Sequence, residues 1–287
     1  MGRPIPIVAA SPLELALAGP TQTATVIAVT GQAVYVELID EARTMVCLAS
    51  SSAVRVPCAL IIGSQAAPPQ VSVGTPARVG ELQLSIRTDV YRVVRWWRPP
   101  RPSGLGTVAP ARLTAAVRWL AGQVADPLDS DGRAAVAGLV EALAAGEGPD
   151  APVARLLGRG PGLTPTGDDV LAGTLVTLLS LGSPTAKPLA RAIAAQAGAA
   201  TTSVSAGLLR HAAEGRCIPQ LDDVLTAIAG PGSAAGPLPR AAGALLAVGH
   251  TSGAGLLHGV LVAVAIAHAR LARDIVRLAH RPTAAAA

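Results

Sequence analysis

Phenylalanine is missing from this chain of 287 residues, and lysine occurs once, at Lys187. Alanine, glycine, proline and arginine are abundant instead, a skew toward small residues and Arg that we read as coding bias before function. Charged residues make up only 14% and hydrophobic ones 51%, which excludes wholesale disorder and permits a large core. Three cysteines, Cys47, Cys58 and Cys217, are an odd number without CxxC spacing. That argues against a disulfide framework and a zinc site, and suits a reducing, cytoplasmic compartment. The first residues, MGRPIPIVAASPLELALAG, place Pro and Glu where a signal peptide needs an unbroken apolar run.

No long run predicts a membrane span. The nearest, 255–269, falls short of the ~20 apolar residues a span requires and is interrupted by His258 and His268, so it reads as a buried core helix. No nucleic-acid-binding spacing occurs either. The densest basic run, Arg92, Arg95, Arg98 and Arg101, is interleaved with Trp96 and Trp97 and ended by prolines. It reads as a last strand whose Arg stems cover apolar surface, leading into a linker. The expectation is therefore no membrane and no nucleic acid as partner.

What is present falls into two parts, with no repeat of fixed period. Residues 24–29 and 33–39 are β-branched and flank a turn at Thr30 and Gly31. In 81–87, Leu82, Leu84 and Ile86 alternate with polar residues and predict one inward face. After WWRPPRPSG the period changes. Leu113, Val117 and Leu120 repeat at helical spacing, as do Val136, Leu139, Val140 and Leu143. Further helices are predicted over roughly 167–181, 187–215, 220–229, 238–248 and 252–279, and the tail, 282–287, reads as frayed. The prediction is an α+β protein: a β-rich N-terminal domain over 1–100, an antiparallel sheet or barrel, then a mainly α-helical domain over 101–287.

Three segments can carry chemistry. The first, GRGPGLTPTGDDVLAG at 158–173, combines Gly158, Gly160, Gly162 and Gly167 with Thr164 and Thr166 and two acids. Thr166 followed by Asp169 fits a capping box, which would start a helix at Gly167. Open N–H groups there attract anions, but Asp168 and Asp169 would repel a phosphate and suit a cation, an amide or an ammonium group better. Capping accounts for one Thr and one Asp, not for the rest. No Lys follows the glycines, so this is not a phosphate-binding P-loop, and no dinucleotide fingerprint is present. The second segment, GHTSGAGLLHG at 249–259, offers His250 as a general acid or base beside Thr251 and Ser252. Equally, Thr251 or Ser252 caps a helix and His250 merely bonds a carbonyl. The third, TTSVSAGLLRHAAEG at 201–215, places hydroxyls, including Ser203, in a helical run, with Arg210 and His211 one to two turns on. No nucleophile elbow and no HExxH spacing occur.

On GPGLTPTGDD, TTSVS and GHTSG the chain resembles a bacterial family whose best-known member is the AllH subunit of oxamate carbamoyltransferase. The resemblance implies a place in purine and allantoin nitrogen breakdown, where a carbamoyl group moves between oxamate (as oxalurate) and phosphate, giving carbamoyl phosphate. It also implies companion transferase subunits as partners and a small anionic substrate. Asp168, Asp169 and His250 match the family's motifs, and their chemistry makes them the catalytic candidates. Gly160, Gly162, Thr164, Thr166, Gly167, Ser203, Thr251 and Ser252 become substrate-binding candidates. No organic cofactor is expected; a divalent or monovalent cation near Asp168 and Asp169 is the one candidate ion. The alternative is a non-catalytic subunit that binds a metabolite and serves a regulatory or scaffolding role.

Overall fold

The computed structural model describes residues 3–41, 43–63, 67–230 and 236–279; the expected frayed tail lies outside them. Eight strands form the first part: β1 (Ile5–Ala10), β2 (Gln22–Val29), β3 (Ala33–Leu38), β4 (Met45–Ala49), β5 (Ala59–Ile62), β6 (Pro76–Gly80), β7 (Gln83–Ile86) and β8 (Asp89–Trp97). They close into a barrel in the order β1-β5-β4-β3-β2-β6-β7-β8. Closure leaves no unpaired edge. The expectation of an antiparallel arrangement needs one correction. β1 pairs parallel with β8, and β4 pairs parallel with β5. The ring closes through the first and last strands, a pairing that local turn signals do not encode.

The alternation in β2 and β3 fills the barrel, with Ala24, Val26, Ala28, Val34, Val36 and Leu38 buried. β4 and β5 are buried along their whole length, as strands covered on both faces must be. Met45 meets the helical part directly, its side chain lying against Gly207. Leu84 and Ile86 point inward as expected, but Leu82 is 42% exposed. Glu81 and Leu82 adopt positive φ, 52° and 60°, in the turn before β7, and the turn takes Leu82 out of the alternation. Arg92 and Arg95 lie on the exposed side of β8, as the strand reading requires, and Trp97 donates its indole N–H to the Ala59 carbonyl at 3.2 Å. All three cysteines are buried and free.

A short helix α1 (Glu14–Ala18) follows β1; the others follow the barrel: α2 (Pro110–Ala121), α3 (Ser130–Ala145), α4 (Asp150–Leu156), α5 (Thr166–Ser180), α6 (Ala186–Ala200), α7 (Ser203–Ala213), α8 (Pro219–Ala229), α9 (Leu238–Leu246) and α10 (Ser252–Ala279). The single helix predicted over 187–215 is two. Thr201 is extended (φ −138°, ψ −177°), and the Thr202 hydroxyl accepts from the Ser205 N–H at 3.0 Å, capping α7. The hydroxyl cluster at 201–205 marks the break between the two helices. The apolar stretch judged too short for a span belongs to a 28-residue helix, of which 252–273 are long and apolar enough to cross a membrane by length and composition. Leu257, Val260, Ala263, Val264 and Ile266 are nonetheless buried within the protein.

α10 packs most extensively on α5. A Cβ at Gly259 would lie 2.4 Å from the Val170 carbonyl oxygen and 2.6 Å from the Thr174 nitrogen. The two backbones therefore touch, and the Thr174 hydroxyl donates to the Gly259 carbonyl across the contact at 3.2 Å. Because all the crowding atoms are backbone, Gly259→Ala must push the helices apart. We expect a loss of about 1–3 kcal/mol, the usual cost of overpacking a filled core. Urea unfolding checks this, and an unchanged midpoint would contradict so close an approach.

Candidate functional site

The glycine-rich loop joins α4 to α5. Gly158 and Gly160 have φ of 70° and 114°, which disfavour any residue with a side chain, and a Cβ at Gly158 would also strike the Ala200 carbonyl oxygen at 2.3 Å. Arg159 pins the loop to the start of α3. Its guanidinium donates twice to Asp129 at 2.7 Å and once to Asp131 at 3.2 Å.

The capping box is not formed. α5 begins at Thr166 with Pro165 in the N-cap position and no side-chain cap, and the N–H groups of Asp168 and Asp169 donate to the Pro165 carbonyl. Both acids are thereby released from the helix start, and both are buried.

Their environments differ. Asp168 accepts from the Gly158 N–H at 2.8 Å and from the hydroxyls of Thr201 and Ser205. Burial pushes its pKa up, and these hydrogen bonds oppose the shift. Asp168 therefore ties the glycine-rich loop and the α6–α7 break together. Asp169 has the Ser252 hydroxyl as its partner, while its Oδ2 is buried without any. Its pKa is pushed up to about 8, first by burial, with the charge of Asp168 adding and Ser252 opposing. A helix N-terminus ordinarily favours the carboxylate, but desolvation dominates here. Near neutral pH Asp169 is a largely uncharged acid.

Asp169 faces a cavity of about 190 Å³. Thr164 and Ser252 stand beside it, their hydroxyls 2.9 Å apart, so Thr164, Ser252 and Asp169 form a chain of polar groups. The rest of the wall is mainly apolar, with Arg216 as its cation. The barrel supplies one side through Tyr35, Val54, Val56 and Pro57.

The three motifs thus converge. Thr164 meets Ser252, the Thr202 hydroxyl donates to the Leu163 carbonyl at 2.6 Å, and Thr201 and Ser205 meet Asp168. The candidates are nonetheless sorted. Thr164, Asp169 and Ser252 line the cavity; Thr166, Gly167 and Asp168 are buried outside its lining. Gly160 and Gly162 are exposed. His250 is exposed and Thr251 half-buried, and neither reaches the cavity wall, although Gly249 does. Ser203 lines a separate hollow with Thr25, Leu163 and Thr202. Arg216 and Tyr35 were missed. Arg216 lies one residue past the third motif, and Tyr35 is a half-buried strand residue without any local signal.

Among the described residues no three His, Cys, Asp or Glu side chains gather as metal ligands. With Asp168 engaged by three donors, a cation at the acid pair would find its open oxygen at Asp169 Oδ2.

A small, mainly apolar cavity between a barrel and a helical bundle, with one uncharged acid at its polar end, is the candidate small-molecule site. The family model described as oxamate carbamoyltransferase subunit AllH matches residues 156–264. That stretch contains all three motifs and bears out the resemblance to the AllH-type family. No solved structure was found to match the chain.

The environments predict opposite behaviour for the adjacent acids. Asp168→Ala leaves an N–H and two hydroxyls unpaired and should cost about 1–3 kcal/mol, read by chemical denaturation. Asp169 binds its proton more tightly folded than unfolded, so its contribution to stability is complete below the ordinary carboxyl pKa and is lost as pH rises toward about 8. Asp169→Asn removes that dependence. The variant should gain stability relative to the parent at pH 8 compared with pH 5, and a parallel pH profile for both proteins would refute the raised pKa.

Proposed function

We propose that this chain is a subunit of an oxamate carbamoyltransferase-like enzyme that moves a carbamoyl group between oxalurate and phosphate. One observation carries the reading: the stretch matched by the AllH family model supplies the entire hydroxyl–acid end of the cavity, Thr164, Asp169 and Ser252.

In the direction of carbamoyl phosphate synthesis, a phosphate oxygen attacks the carbamoyl carbon of oxalurate. The bond from that carbon to the oxamate nitrogen breaks, and the departing nitrogen needs a proton. Asp169, protonated near neutral pH, gives that proton and becomes a carboxylate. The proton that hydrogen phosphate sheds as its oxygen joins the carbamoyl carbon restores the acid, and in the reverse direction both transfers run backwards. Ser252 and Thr164 hold the acid in place and offer hydroxyls to the amide group, while the apolar walls exclude water that would hydrolyse the product. Arg216 is the lining cation, and Glu214 already holds it, so companion subunits supply further groups for phosphate. The reading carries a cytoplasmic location.

A second reading, a metabolite-binding subunit without chemistry of its own, is favoured by the exposure of His250 away from the cavity wall.

The test is co-expression with companion subunits and an assay for carbamoyl phosphate formed from oxalurate and phosphate. Asp169→Asn should leave the complex assembled on gel filtration and lower kcat by at least ~100-fold, the lower range for losing a general acid. Full activity in that variant removes Asp169 from the chemistry. Substrate binding that survives in a parent complex without turnover favours the second reading, and failure to assemble with any such subunits overturns both.

A further inference from the structure

A second cavity, of about 210 Å³, lies at the seam where α7 meets the barrel. Its lining includes Thr44 and Met45 from the barrel and Arg210, His211, Glu214 and Arg216 from the end of α7 and the turn after it. Two guanidiniums beside an imidazole around one small hollow are an unusual concentration of hydrogen-bond donors, because the two like charges repel unless something sits between them. Glu214 answers part of that charge. It pairs with Arg216 and lies 3.6 Å from Arg101, but its side chain is 52% exposed, so it can turn out to solvent.

His211 supplies the independent sign. Its Nδ1 is buried with no hydrogen-bond partner. An unmatched buried polar atom is uncommon in a settled interior and points to a missing partner. Burial, then Arg216 and Arg210, push the imidazole pKa down to about 4, so the ring is neutral and can present either an N–H or a lone pair at Nδ1. Arg210 donates to the Arg43 carbonyl at 2.7 Å, which fixes its guanidinium at the seam.

We propose that this seam cavity binds a small oxyanion, a phosphate or a short carboxylate, between Arg210 and Arg216 with His211 as a hydrogen-bond donor. The anion displaces Glu214 from Arg216 and ties α7 to the barrel. The site is separate from that of Asp169, although Arg216 borders both. Variants are therefore placed at Arg210 and His211, which line the seam cavity alone of the two.

Calorimetric titration of the full chain at constant ionic strength, with inorganic phosphate in one arm and acetate in the other, tests the proposal. Arg210→Gln and His211→Phe should each weaken binding at least tenfold, while Arg240→Gln, at an exposed arginine elsewhere, should not. Saturation by phosphate alone assigns a phosphate site, and saturation by both assigns a general oxyanion site. Saturation by acetate alone assigns a carboxylate site. No saturable heat in the parent protein overturns the proposal, as does equal weakening by all three variants. Should Arg210→Gln fail to fold, His211→Phe carries the test by itself. Because Asp169 is untouched throughout, neither result depends on carbamoyl transfer.

Discussion

The contact between α5 and α10 governs the arrangement of the site. Gly255 and Gly259 are four residues apart on α10, so they share one helical face. A Cβ at Gly255 would lie 2.7 Å from the Cβ of Asp169, and one at Gly259 would enter the backbone of α5. Bare glycine on that face lets the helix axes approach until Ser252, at the start of α10, reaches Asp169, at the start of α5. The same approach removes water from the carboxyl group and raises its pKa. Two features that look separate, a glycine pattern in a core helix and an acid that holds its proton near neutral pH, have one cause.

The adjacent acids diverge because successive residues on a helix point about 100° apart. In the first turn of α5, one direction faces the α6–α7 break and the other faces the start of α10. Asp168 takes the first and is saturated by Gly158, Thr201 and Ser205. Asp169 takes the second and retains an unmatched oxygen. A capping box would have spent Asp169 on the helix start. Pro165 at the N-cap position has no hydroxyl to accept from the first turn and no N–H to offer in return, so that arrangement is unavailable.

Much of this was legible in the residues. β-branched alternation found β2 and β3, helical spacing found α2 and α3, and the density of glycine, hydroxyl and acid found all three motifs. What was not legible depends on distance in the chain. The parallel pairing of β1 with β8 joins strands more than seventy residues apart and has no turn to announce it. The division of roles between Asp168 and Asp169 depends on whether the helix begins at 166 or 167, and on partners at 201, 205 and 252. Tyr35, Val54 and Val56 enter the cavity wall only because the closed barrel brings their loop and strand against the helices. The strand region contains no histidine, yet it supplies part of the cavity wall. A wall that excludes water needs no titratable group.

An uncharged acid is useful because it has a proton to give. In water, an Asp side chain is ionised at neutral pH and has no proton to give. Moving its pKa to about 8 requires that solvent be kept away, and the barrel wall and α10 together do so. The unmatched Oδ2 is then a defined asymmetry: a ligand that accepts a hydrogen bond finds the acid protonated. One that brings a positive charge or amide hydrogens draws out the carboxylate instead and releases a proton. Binding at this cavity is therefore linked to proton uptake or release in a direction set by the ligand's own charge. A merely structural buried acid, with both oxygens satisfied as in Asp168, has no such freedom.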